Sequence, residues 1–132
     1  IDHSTRTLFW VNYNGGVWRK NLDGGAEAEI IPLVEGGSIT VAGDRIYFDQ
    51  YIASGDIHLK SANFDGSGIA VLATGISRVV YALAFEPDAQ MIYWGDRNLG
   101  TIMRANPDGS GANPFYVSDG SSPRGIVFGE KF

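Results

Sequence analysis

Three near-copies of one pattern run through the chain, and their spacing constrains the fold more than any other feature. Each copy has an aromatic pair inside a short β-prone run, then a hairpin, a second run and Asn-x-Asp-Gly. The pairs are Phe9-Trp10, Tyr47-Phe48 and Tyr93-Trp94. The turns are Asn21-Leu22-Asp23-Gly24, Asn63-Phe64-Asp65-Gly66 and Asn106-Pro107-Asp108-Gly109. Neighbouring turns lie about 42 residues apart, the period of a four-stranded propeller blade. Short β-branched and aromatic runs between Gly, Asp, Asn and Ser clusters predict an all-β protein. The 18 glycines, about twice the usual share, suit many tight turns.

With the strands of one repeat lettered A to D, the third repeat reads A at 81–85, B at 90–95, C at 101–106 and D at 113–118. The second reads 38–42, 45–49, 56–63 and 69–74. The first offers only B at 7–12, C at 16–22 and D at 28–34. Its missing A strand has a counterpart at the other end, Ser121-Ser122-Pro123-Arg124-Gly125-Ile126-Val127-Phe128. Aligned on the aromatic pairs, Ile1 and Phe128 both take the place of Phe85. The expectation is a single domain, 1–132, with repeats at about 1–43, 44–86 and 87–128.

Propellers have about four to eight blades, and three wedges leave too wide an angle to close. The expected architecture is therefore three four-stranded blades per chain, with the N- and C-terminal strands sharing a blade. A homodimer, joined by exchange of the C-terminal strand, would form a six-bladed β-propeller and remove an open sheet edge. The alternative is half of a longer single-chain propeller. Ile1 in place of an initiator Met suggests a processed or truncated product.

Ile92-Tyr93-Trp94-Gly95-Asp96, followed by Ile102-Met103-Arg104-Ala105-Asn106-Pro107-Asp108-Gly109-Ser110-Gly111, resembles the YWTD (LDL-receptor class B) repeat. Leu8-Phe9-Trp10-Val11-Asn12 and Ile46-Tyr47-Phe48-Asp49-Gln50 are looser copies. The resemblance covers essentially the whole chain and implies a six-bladed propeller that binds rather than catalyses. The motif's Thr is replaced by Val11, Asp49 and Gly95. Its Asp survives only as Asp96, with Asn12 and Gln50 in the other copies. Receptor versions sit beside cysteine-rich modules, and this chain has no cysteine.

Several functions are disfavoured by composition. A net charge of −5 argues against a nucleic-acid partner. No apolar run reaches the length of a membrane-spanning helix. Without cysteine there are no disulfides, thiolate metal sites or cysteine nucleophiles. The Asp-Gly-Ser-Gly runs at 65–68 and 108–111 lack the further oxygen ligands and late Glu of a calcium loop, so they read as tight turns. His3 and His58 occupy unmatched repeat positions, and no nucleophile elbow occurs. No metal, cofactor or catalytic residue is expected.

The aromatic pairs should send one ring towards each neighbouring blade. Arg19 and Arg104 share a repeat position, held by Ser61 in the second copy, and are expected to pair with carboxylates across blades. The B–C loops at 12–15, 50–55 and 97–100 and the D–A loops at 35–38, 75–78 and 118–124 should emerge on one face. Extended loops carrying aromatic side chains make contact anchors. The candidate ligand-binding residues are Tyr13, Asn14, Tyr51, Arg78, Arg97, Asn98 and Arg124. The function expected is a non-catalytic binding module for a protein or glycan ligand, in a secreted or extracellular setting. A multivalent lectin is the alternative, and a propeller hydrolase or lyase the third reading.

Overall fold

The computed structural model of the protein describes residues 1–32, 34–118 and 120–129. Leu33, in the expected first D strand, and Asp119, in the expected last D–A loop, lie outside the described residues, as do 130–132. The described residues form eleven strands and no α-helix.

The first sheet holds β1 (Thr7–Val11), β2 (Val17–Asn21) and β3 (Ala28–Ile31). The second holds β4 (Ile39–Ala42), β5 (Arg45–Ala53), β6 (Asp56–Asn63) and β7 (Ala70–Ile76). The third holds β8 (Leu83–Glu86), β9 (Met91–Asp96), β10 (Thr101–Ala105) and β11 (Asn113–Val117). Within each sheet spatial order follows chain order, and the resolved pairings are antiparallel. Each sheet is thus a meander closed by tight turns.

The second sheet is covered on both faces. Along β5, Ile46, Tyr47, Phe48 and Asp49 are all buried, the pattern of a strand lying between two layers. Side chains alternate across a strand. Phe48 accordingly packs with Phe9, Val17 and Ile31 of the first sheet. Tyr47 packs with Leu83, Ile92 and Trp94 of the third. Full burial of a side chain as large as Phe48 contributes about 1.5–3 kcal/mol. The aromatic pair therefore ties one sheet to both neighbours.

The turns after β6 and β10 bring a glycine against the preceding sheet. Gly66 and Gly109 both have φ of 87°, and a Cβ on either would overlap a backbone carbonyl, that of Ile30 or Leu72 respectively. Only glycine combines that conformation with that approach. The recurring Asn braces these turns: Asn63 and Asn106 donate through Nδ2 to Ser67 Oγ and Ser110 Oγ, at 3.1 and 3.0 Å.

Two expectations are corrected. The loop at 50–55 is not a loop, because β5 runs on to Ala53 and pairs Tyr51 with Ile57. Gln50 accepts from Lys60 Nζ at 2.7 Å, which holds the extra rungs together, and Ser54-Gly55 makes the turn. Tyr51 and Ile52 therefore stand on a strand. Secondly, the Arg19 hydrogen bond goes to a carbonyl, its Nη1 donating to Phe64 O of the second sheet at 2.9 Å; its charge only adds to the Ser67 hydrogen bonds that lower the Asp65 carboxyl in the same turn.

The described tail, 120–129, forms no ladder within the chain. It runs beside the third sheet, with Pro123 over Gly95 and the Phe128 ring 5.2 Å from that of Tyr93. An open groove of about 850 Å³ separates its end from β8. Among the described residues, the first sheet has beyond β1 only the single bridge of Asp2 to Thr7.

Candidate functional site

The hairpin ends and the sheet-to-sheet linkers meet on one side of the molecule. After β1, Asn12 N donates to Gly16 O at 2.9 Å, and Trp18 Nε1 closes onto Gly15 O at 2.6 Å. Gly16 N donates to Val34 O at 2.9 Å, which fastens this hairpin to the linker between the first two sheets. The same linker accepts at Glu35 O from Tyr51 N, at 2.7 Å. Tyr13, Glu35 and Tyr51 are thereby fixed through their own or adjacent backbone.

Between them lies a cleft of about 280 Å³, lined by Tyr13, Glu35, Gly36, Tyr51 and Val79. Tyr13 is 66% exposed and Tyr51 41%. The Glu35 carboxylate is exposed and has no hydrogen bond or ion pair among the described residues. Two aromatic faces and one free carboxylate make a site suited to a cation, because ring faces and a carboxylate both attract positive charge.

The floor of this region is built by Asp49, which is fully buried. Its Oδ1 accepts from Gly37 N at 2.8 Å, Ser38 N at 2.9 Å and Ser38 Oγ at 3.3 Å. Its Oδ2 accepts from Val80 N at 2.9 Å. One carboxylate thus fastens the linker into the second sheet and the linker into the third. Burial pushes its acidity weaker than an ordinary Asp, against the pull of those hydrogen bonds.

The other expected site residues are more scattered. Asn14 shares the Tyr13 turn and is exposed, and Arg78 is exposed beside Val79. The Arg97 guanidinium lies 4.7 Å above the Tyr81 ring, with Nη1 3.5 Å from Val79 O. Its Nε is buried with no partner among the described residues. Asn98 N caps the same turn by donating to Asp96 Oδ1 at 3.0 Å. Arg124 is exposed in the tail. The structure brings Tyr13 and Tyr51 into one cleft, sets Arg78 and Arg97 at its Val79 side, and leaves Arg124 apart.

Glu35 and Asp49 were not among the candidates. The sequence signal for Asp49 was an acid in an otherwise apolar strand run. For Glu35 it was an acid in the linker expected on the loop face. Among the described residues no group of three or more His, Cys, Asp or Glu side chains is placed to hold a metal ion, and no helix is long and apolar enough to cross a membrane.

No protein-family model matches the chain. Among solved structures, it is similar to a chain of the nidogen/laminin complex, at a TM-score of 0.78 and 21% identity, covering 95% of this chain and 49% of that one. It is also similar to the computationally designed Ika4 protein, at a TM-score of 0.64 and 14% identity, covering 95% and 75%. The chain thus spans about half the length of the nidogen/laminin-complex chain that it matches. These likenesses show the fold alone: an all-β, propeller-like architecture in three sheets.

Proposed function

We propose that the protein is a non-catalytic binding module, working in a secreted or extracellular setting. It holds a protein ligand on its loop face through the cleft of Tyr13, Glu35 and Tyr51. The free Glu35 carboxylate between two tyrosines carries this reading. A cleft of about 280 Å³ is small for a drug-sized molecule and takes a single side chain. The ligand feature is a lysine or arginine presented by a partner. Likeness to a chain from a protein–protein complex supports a binding role over a catalytic one.

Two copies of the chain complete a six-bladed ring by exchanging the 121–129 segment onto β1. The open inner edge of the first sheet and the unladdered tail support this reading. The ring presents two clefts, so weak single contacts add by avidity.

A glycan ligand is the second reading, since the same tyrosines offer stacking faces. Calorimetry with lysine-rich and arginine-rich peptides, alongside a glycan array, separates the two. The expected result is peptide binding that weakens with salt and falls about fivefold to tenfold in Glu35→Gln, the scale of one charge pair. Tyr51→Ala lowers binding further without unfolding the chain. Sugar binding lost in Tyr51→Ala but retained in Glu35→Gln replaces the peptide reading by the lectin. No binding of either probe discards the cleft as a ligand site.

A further inference from the structure

Contacts repeat from sheet to sheet with a constant offset, and the two ends of the series lack what the middle has. Gly66 of the second sheet fits against Ile30 O of the first, and Gly109 of the third against Leu72 O of the second. Gly24 holds the same place in the first sheet and meets nothing within 4 Å. Ile30 and Leu72 correspond to Phe115 in the third sheet, which is 55% exposed.

A second pair of contacts shows the same gap. Phe64, in the turn after β6, sets its ring 4.9 Å from Phe9, and its carbonyl accepts from Arg19. The equivalents of Phe9 and Arg19 in the third sheet are Tyr93 and Arg104, paired with each other in the β9–β10 register as Phe9 and Arg19 are in β1–β2. Arg104 has stacked its guanidinium 5.2 Å from the Phe115 ring, and its Nε is buried without a partner among the described residues. The equivalent of Phe64 in the first sheet is Leu22, which is 45% exposed.

From these repeats we infer that the outer face of the third sheet is built to receive the β2–β3 turn of a second copy. In the single chain Tyr93 is 7% exposed and lies under the Phe128 ring, 5.2 Å away; when the tail moves onto the second copy, Leu22 of that copy takes the place of Phe128 against Tyr93, its carbonyl takes the Arg104 guanidinium, and its Gly24 rides on the Phe115 backbone. Between the first and second sheets all of these contacts already exist, and between the second and third the glycine contact recurs with Ser61 in place of the arginine, so the seam continues an interface present within the chain. It rests on the ring reading above and adds the side chains that make the join.

The tail is the other half of the seam. Leu83 pairs with Trp94 and Ala84 with Tyr93 across β8 and β9. By the same offset, Ile126 faces Trp10 of the second copy and Val127 faces Phe9. Val127 is 89% exposed in the single chain, as a strand awaiting its partner should be.

Sedimentation velocity of the full chain between about 1 and about 100 µM, a range that brackets ordinary protein affinities, tests the seam. The wild type is expected at twice the chain mass. Leu22→Glu places a charge that the exposed single-chain site tolerates, and weakens the dimer by about tenfold or more. Val127→Pro removes a ladder donor and weakens it as well. Ile69→Glu, at another half-exposed apolar position away from these contacts, leaves the mass unchanged. A monomeric wild type overturns both ring and seam. A dimer indifferent to Leu22→Glu and Val127→Pro overturns the seam alone, and one equally sensitive to Ile69→Glu shows general surface stickiness and overturns it too.

Discussion

Asp49 occupies the repeat position where the first sheet has Val11 and the third has Gly95. Its two oxygens meet three backbone N–H groups from two separate linkers. Asp49→Ala leaves those donors buried and unanswered, at about 1–3 kcal/mol each. The expected loss in a urea titration is about 3 kcal/mol or more. Asp49→Asn keeps the shape but turns an amide donor towards one of the N–H groups, and is expected to fall between the two. Sequence showed the departure from the motif but not its use, because a buried acid is explained only by what comes to meet it from 31 residues away. Glu35 escaped for a related reason. Nothing in a linker acid says that two tyrosines from separate hairpins will converge on it.

The strands were read with most of their boundaries in place, since alternation and turn residues act locally. Aligning the repeats ends this strand at Asp49 and leaves Gln50-Tyr51-Ile52 in a loop longer than its counterparts. Cross-strand partners at Lys60 and Ile57 decide otherwise, and partners on another strand are invisible in a repeat alignment. The turns after β6 and β10 carry a pH signature. Hydrogen bonds from Ser67 and Ser110 hold the Asp65 and Asp108 carboxyls below the usual range near 3.8. Each folded-state acidity is thus stronger than in the unfolded chain. Their support is present above about pH 4 and fades as pH falls through the lowered values. The double variant Asp65→Asn/Asp108→Asn should be less stable than wild type at pH 7. That deficit should shrink as pH falls through the lowered values when both are unfolded by urea. A deficit independent of pH would mean that the turns depend on shape rather than charge.

For the whole molecule, three sheets in series leave the β1 edge unpaired by a strand at one end, and at the other a third-sheet face covered only in part by the chain's own tail. Under the ring reading these cover each other, and stability becomes a property of concentration as well as sequence. The thermal midpoint should rise with each tenfold increase in protein, as it does for any assembly whose partner binds only the folded form. A midpoint fixed over that range would mean that each chain stands alone. The period near 42 residues makes the three sheets legible in the sequence. The seam is not, because it appears only when contacts made by one sheet are compared with those missing from another.

The meander within each sheet also sets an order of events in time. Every ladder among the described residues joins strands that follow one another, so each sheet can close from a short stretch of chain and need not wait for a distant one. Under the ring reading only β1 and the tail wait, and what they wait for is not a remote part of the same polymer. Under the ring reading, the slow step of making this protein is an encounter between molecules that are already largely formed. Dilution would lengthen that step while leaving all the earlier ones untouched.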